Sequence, residues 1–333
     1  MQAPNFTSEN LLAAVSRLRP DGKTPVLDTH FQGGQCQVFK VDFSDGESWA
    51  VRIPLFAQVT PPNVIISQLQ GEVRVVQELE RRGFRWAAKP QGSSLMFENE
   101  IGTPFVALTW ILGTQLQWSS EFPARPIRDM ILSQIASIQQ SLIECTKEQR
   151  DITATEEFER IIDSKVRRIR NGRLPELTEK DCFDQKYRLP GVLYPQLNEA
   201  PFAMDHGDLS PRNIIINSEQ KITGIIDWGF ASKTPIQLAA GIPRFLRPEP
   251  PLLPLSPVIQ KDRETYIMSL QVRSSQAAAW MTLVQSSSNA DFRACFMESI
   301  ISKGMHRWMA DHEWKLPHHE VTVREESSSE RID

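Results

Sequence analysis

Asp208, Asn213 and Asp227 are the residues whose types and spacing point most directly to chemistry. Asp208 stands in His206-Gly207-Asp208-Leu209-Ser210-Pro211-Arg212-Asn213, and Asp227 follows fourteen positions after Asn213 in Ile225-Ile226-Asp227-Trp228-Gly229. Between them, Ile214–Ile216 and Ile222–Ile226 read as two short strands joined by the turn Asn217-Ser218-Glu219-Gln220. Such a hairpin brings all three polar groups to one end. Two oxygen ligands there suit a magnesium ion, and the remaining carboxylate can face a substrate hydroxyl. That combination is phosphoryl-transfer chemistry.

The elements that must position these groups are legible upstream and downstream. Asn10–Leu18 has helical apolar spacing. Gly33-Gly34 precedes a hairpin of Gln35–Phe43 and Ser48–Ile53, joined by Ser44-Asp45-Gly46-Glu47. Pro54–Pro62 reads as a loop. Ile65–Arg82 carries apolar residues at 69, 73, 76 and 79 and stops at Gly83, the pattern of an amphipathic helix. Ser94–Asn99 and Phe105–Ile111 read as strands. Gly113 marks a change, with helices expected over Ile127–Thr146, Thr155–Arg170, Lys261–Leu283 and Ala290–Trp314, and a meandering Pro-rich loop over Pro243–Pro257. The expected division is a small mixed lobe over residues 1–113 and a larger, mostly helical lobe over 114–333, with a frayed tail from about 322.

Bulk properties narrow the class. The chain has 333 residues and 40% apolar content, enough for one large domain or two packed lobes. A net charge of -4 gives no electrostatic case for nucleic acid, and the basic run Lys165–Arg173 reads as a solvated helix face. Cys36, Cys145, Cys182 and Cys295 are scattered, which argues against a disulfide framework or a zinc site and fits a reducing, cytoplasmic setting. The opening MQAPNFTSEN lacks a basic-then-apolar signal, and the apolar window Ile101–Gly113 is too short for a bilayer, so no membrane role is expected.

The HGDLSPRN and IIDWG pair, in this lobe order, resembles the aminoglycoside phosphotransferase and choline kinase-like family, in particular its fungal-type small-molecule kinases. The resemblance spans about Thr29 to Leu246. It implies an α+β, two-lobed protein-kinase-like fold, with a small mainly antiparallel β lobe carrying one key helix and a larger helical lobe. It also implies ATP and Mg²⁺ as cofactors. Asp208 would be the catalytic carboxylate, Asn213 and Asp227 the metal ligands, and His206 a packing residue beneath the loop.

Trp49-Ala50-Val51-Arg52 alternates so that Ala50 and Arg52 share one strand face. The resemblance puts Ala50 under adenine and Arg52 on the α/β-phosphates, where most kinases have Lys. Arginine keeps the charge and can fork two phosphate oxygens, although its shape differs from an ammonium. Lys40 is a substitute candidate. Glu72 is the expected partner of Arg52, with Glu78 and Glu80 as competitors. Gly33 and Gly34 occupy the place of the glycine-rich loop without completing G-x-G-x-x-G. Thr109, Trp110 and Ile111 fall where backbone groups would meet the base. Trp228 replaces the Phe of D-F-G and points to the small-molecule branch.

The implied activity is transfer of the γ-phosphoryl group to a hydroxyl of a small molecule. After Asp227 the acids Glu249, Asp262 and Glu264 are mixed with Lys233, Arg244 and Arg247, a balance that does not favour a polycationic acceptor. The alternative is a catalytically weak or inactive kinase-like nucleotide-binding protein, suggested by the incomplete glycine loop and Arg52. A protein kinase is disfavoured by HGD, DWG and the missing activation-loop anchor.

Overall fold

A computed structural model describes residues 6–55, 60–249, 251, 253–287 and 289–315. The expected frayed tail lies outside the described residues. The chain opens with α1 (Ser8–Leu18), whose N-cap Thr7 forms a reciprocal capping box with Asn10. Next come β1 (Pro25–Gln32), β2 (Cys36–Phe43) and β3 (Ser48–Pro54), then α2 (Pro62–Arg81), β4 (Pro90–Ser94) and β5 (Phe105–Thr109). The five strands form one antiparallel sheet in the order β1-β2-β3-β5-β4.

Alternation along this sheet divides its two faces. Phe39, Val41, Phe43, Trp49, Val51 and Ile53 are buried with Leu11, Ala14 and Val15 of α1. On the other face the register sets Val38 opposite Arg52 and Lys40 opposite Ala50. Helix α2 buries Ile65, Leu69, Val76 and Leu79, and Glu72 falls within the same stripe. A carboxylate in that stripe needs a charged partner.

The second half continues with β6 (Thr114–Gln115), α3 (Arg125–Thr146), α4 (Ala154–Arg170), α5 (Glu179–Val192), β7 (Phe202–Asp205), β8 (Ile214–Ile216), β9 (Ile222–Ile225), β10 (Ser232–Pro235) and α6 (Ile236–Ala239). It closes with α7 (Pro257–Gln271), α8 (Gln276–Gln285), α9 (Ala290–Ile301) and α10 (Lys303–Asp311). Two small antiparallel sheets, β6-β8-β9 and β10-β7, sit among the helices. One core joins α2, α3, the short strands, α7 and α8, and a second gathers α4, α5, α9 and α10. The result is a mixed α+β architecture with a sheet-rich first lobe and a helical second one.

Several elements differ from the sequence expectation. Strand β1 is an edge strand with only Pro25 buried, so it carries no alternating apolar signal and Gly33-Gly34 becomes the tip of a hairpin. The strand expected over Ser94–Asn99 lies earlier, at Pro90–Ser94. Asn99 instead fastens a loop, its Nδ2 donating to the carbonyls of Met96 and Thr103, each at 2.8 Å. Strand β5 stops at Thr109. The long terminal helices are each divided by a serine cap: Ser275 opens α8 and Ser302 opens α10. Helix α5, strand β7 and strand β10 were unanticipated. Within the basic run, Lys165 is buried rather than solvated. Among the described residues no helix is long and apolar enough to cross a membrane.

Candidate active site

Strand β7 delivers His206, and the chain then turns sharply at Gly207. Gly207 has φ +77°, and a Cβ there would lie 2.5 Å from the Phe230 carbonyl oxygen. Glycine alone meets both conditions. His206 is buried; its Nε2–H donates to the Ile226 carbonyl at 3.0 Å, and its bare Nδ1 accepts from the Asp208 N–H at 3.2 Å. Burial pushes its pKa down, which favours this neutral tautomer. The ring packs 4.5 Å from Trp228, whose Nε1–H donates to the Ile225 carbonyl at 2.9 Å. Phe84, just beyond α2, meets Trp228 edge-on at 5.6 Å. His206 therefore splices the Asp208 loop to the Asp227 segment.

Asn213 closes a single 3₁₀ turn, Pro211–Asn213, that runs directly into β8. Its Nδ2–H₂ donates to the Asp208 carbonyl at 2.8 Å and to Asp208 Oδ2 at 3.2 Å. Asn213 Oδ1 has no donor among the described residues. Because Ile214 pairs with Ile225 and the Ile226 N–H donates to the Asn213 carbonyl at 2.9 Å, Asp227 emerges beside Asn213. Asp227 itself adopts φ 65°, a left-handed conformation that aspartate tolerates better than most residues.

Arg52 reaches this end from the sheet. One guanidinium nitrogen, Nη1, pairs with Glu72 on α2, and Nη2 donates to Asp227 Oδ1 at 2.9 Å. Burial works against the charge of Arg52, but Glu72, followed by Cys36 and Asp227, outweighs it and raises its pKa above the ordinary value. The competitors of Glu72 are elsewhere: Glu78 faces Lys233, and Glu80 is exposed. Lys40 is held by Asp28 and Asp42 at 2.8 and 3.2 Å.

The remaining expected residues surround this constellation unequally. Gly33 and Gly34 turn between β1 and β2, with the Gly33 N–H donating to the Cys36 carbonyl at 2.9 Å. Ala50 lies on the Arg52 face, opposite Leu108 on β5. The N–H groups of Thr109 and Trp110 already donate to the carbonyls of Lys89 and Ser48, at 2.9 and 2.8 Å. Among the described residues the Ile111 N–H has no such acceptor, so it alone of these three amides is open to a base. Two contacts had not been anticipated. Arg212 Nη2 donates to Asp208 Oδ2 at 2.8 Å, and its spacing of four residues from Asp208 was the available signal. Lys233 bridges Glu78 and Glu148, which lie far apart in sequence and gave no signal.

The donor set fits a hard divalent cation. Asn213 Oδ1 and the Asp227 carboxylate would supply oxygen ligands, and magnesium takes few protein ligands because phosphates and water complete its shell. A hollow of about 430 Å³ lined by Leu255, Arg263, Glu264 and Met268 contains none of these groups.

Residues 31–237 match the family described as "Phosphotransferase enzyme family". The chain belongs to this family. No curated protein matches it. Among solved structures, the gentamicin complex of APH(2″)-IIa has a TM-score of 0.55 at 14% identity, covering 93% of each chain. The streptomycin–ATP ternary complex of APH(2″)-IIa has a TM-score of 0.54 at 13% identity, covering 93% of this chain and 96% of the other. ADP-bound APH(2″)-Ib gives 0.53 at 12%, covering 93% and 98%. At these identities the likeness establishes the protein-kinase-like fold of the family.

Proposed function

We propose that the chain is an ATP- and Mg²⁺-dependent phosphotransferase that moves the γ-phosphoryl group to a hydroxyl of a small molecule. The observation that carries this reading is the meeting of Asp208, Asn213 and Asp227 with the Arg52–Glu72 pair at one end of the β8–β9 hairpin. Asp208 orients the acceptor hydroxyl and takes its proton, and its Oδ1 accepts no hydrogen bond from the described residues. Arg52 anchors the α/β-phosphates, held in place by Glu72. Gly33 and Gly34 cover the phosphates from above. Ala50 packs against the base, and Ile111 offers it a backbone N–H. Asn213 and Asp227 hold Mg²⁺, which neutralises phosphate charge when bound. Catalysis is positioning and charge neutralisation, with little covalent work for the protein. In this reading residues 1–113 hold the nucleotide and 114–333 the acceptor.

The charge pattern bears on the acceptor. Asp262 is buried against Arg128, with hydrogen bonds of 2.7 and 2.6 Å. Asp291 pairs with Arg263 at 2.8 Å, and Glu298 with Arg247 at 2.8 Å. These acids are already neutralised and are not free to receive a polycation. An acceptor with little positive charge fits better than an aminoglycoside.

Titration calorimetry with Mg·ATP tests the nucleotide half of the reading. Arg52→Met is expected to weaken binding about tenfold or more, the scale of a lost charge-assisted contact, with Arg52→Lys intermediate. A wild type that does not bind Mg·ATP, or an Arg52→Met variant with unchanged affinity, contradicts it.

A further inference from the structure

We propose that Arg212 is a catalytic residue whose guanidinium passes between the Asp208 carboxylate and the phosphoryl group in transfer; this rests on the phosphotransferase reading above. The backbone of Arg212 is fixed inside the Pro211–Asn213 turn, where the Asn213 N–H donates to the Ser210 carbonyl at 2.9 Å. Its side chain is not. It is 71% exposed, and its one hydrogen-bonded partner among the described residues is Asp208 Oδ2, reached by Nη2 at 2.8 Å. Nε and Nη1 donate to nothing described, so the fork has donors to spare.

Asp208 is asymmetric in a matching way. Oδ2 accepts from Arg212 and from Asn213, while Oδ1 has no donor among the described residues. An acceptor hydroxyl meeting Oδ1 would therefore lie next to the Arg212 guanidinium. Arg52, the other arginine of the constellation, is tied at both ends by Glu72 and Asp227. Arg212 is the exposed cation of the pair, with donors to spare.

The step it serves balances simply. A lone pair of the acceptor oxygen forms a bond to the γ-phosphorus, and the bond from that phosphorus to the β–γ bridging oxygen breaks. The electron pair leaves on ADP, and the acceptor proton goes to Asp208 Oδ1. Charge spreads over the equatorial phosphoryl oxygens in the transition state, where a guanidinium donates to them most effectively. A planar fork suits that task better than an ammonium.

The test uses water as the acceptor. Single-turnover Mg·ATP hydrolysis and Mg·ATP affinity are measured for wild type, Arg212→Ala and Arg212→Lys, with and without millimolar guanidinium chloride. Arg212→Ala should hydrolyse ATP at least about 30-fold more slowly while its affinity changes less than about threefold, the mark of an interaction made only in the transition state. Guanidinium should restore part of the rate to Arg212→Ala and none to wild type, which a purely structural role would not produce. An unchanged rate in Arg212→Ala, or a rate and affinity reduced by the same factor, overturns the proposal while leaving the phosphotransferase reading intact. A wild type inert toward ATP removes that reading, and the role of Arg212 with it.

Discussion

Gly207 and His206 set the position of Asp208 more than any residue that would touch a ligand. The Gly207→Ala variant must fit a Cβ where the Phe230 carbonyl oxygen stands 2.5 Å away, at a φ of +77°. Strain of this kind costs on the order of 1–3 kcal/mol, so Gly207→Ala should melt several degrees below wild type and lose ATP turnover at temperatures where it remains folded. An unchanged melting curve would contradict the close approach. A second residue-scale expectation concerns His306, buried against the equally buried Lys165, whose Nζ lies 3.0 Å from its Nδ1. Burial, and then the Lys165 charge, push His306 down to about 4. In the unfolded chain it titrates near its ordinary value of 6.5. Between these values the unfolded state binds a proton that the folded state refuses. The stability tied to His306 is therefore complete above about 6.5 and lost as pH falls toward about 4. His306→Gln keeps an acceptor for Lys165 but cannot be protonated. Urea unfolding of both proteins at several pH values should show the acid-side loss reduced in the variant; parallel curves would contradict the assignment.

Helix α2 is held at two points, and both bear on the site. Glu72 grips Arg52, and six residues later Glu78 meets Lys233 at 2.6 Å, with Glu148 completing the bridge. Lys233 lies on β10, six residues after Asp227, so it ties the helix to the strand that follows the metal-ligand candidate. Replacing it with methionine removes the nearest cation between Glu78 and Glu148 and leaves only the looser contacts of Arg82, at 3.5 and 3.6 Å, with Arg150 still on Glu148 at 3.0 Å. Lys233→Met should weaken Mg·ADP binding about fivefold or more, with Glu78→Gln in the same chain restoring part of it. Equal affinity in wild type and Lys233→Met, measured by calorimetry, would show that the bridge does not position α2. This clamp also shows where sequence reading stopped. The stripe Leu69, Val76 and Leu79 revealed α2, and Glu72 could be selected because it borders that stripe. Lys233 could not be paired with Glu78 or Glu148, because only the tertiary fold brings these residues together. Strand β1 was invisible for a different reason: it is an exposed edge, ordered by pairing with β2 rather than by burial. The serine caps at Ser275 and Ser302 fell inside Lys261–Leu283 and Ala290–Trp314, each of which reads as one continuous helix.

At the scale of the whole molecule, two lobes meet where the β8–β9 hairpin end faces Arg52 and α2. The overall architecture was readable because HGDLSPRN and IIDWG frame an antiparallel hairpin, with a β-rich lobe before it and helices after it. Asn213 and Asp227 are brought together by that hairpin's register, with Ile214 opposite Ile225. The acids after Asp227 were far less legible, since they are scattered in sequence and the pairing of Asp262, Asp291 and Glu298 with Arg128, Arg263 and Arg247 appears only in three dimensions. The central claim is that this constellation transfers a phosphoryl group with Asp208 as its base. Its most direct test is release of phosphate from γ-labelled ATP, with and without Mg²⁺, by wild type and Asp208→Asn. The account predicts Mg²⁺-dependent turnover in wild type, and in Asp208→Asn a rate at least about 100-fold lower with Mg·ATP affinity nearly unchanged. Turnover that survives in Asp208→Asn, or that is indifferent to Mg²⁺ in wild type, would contradict it.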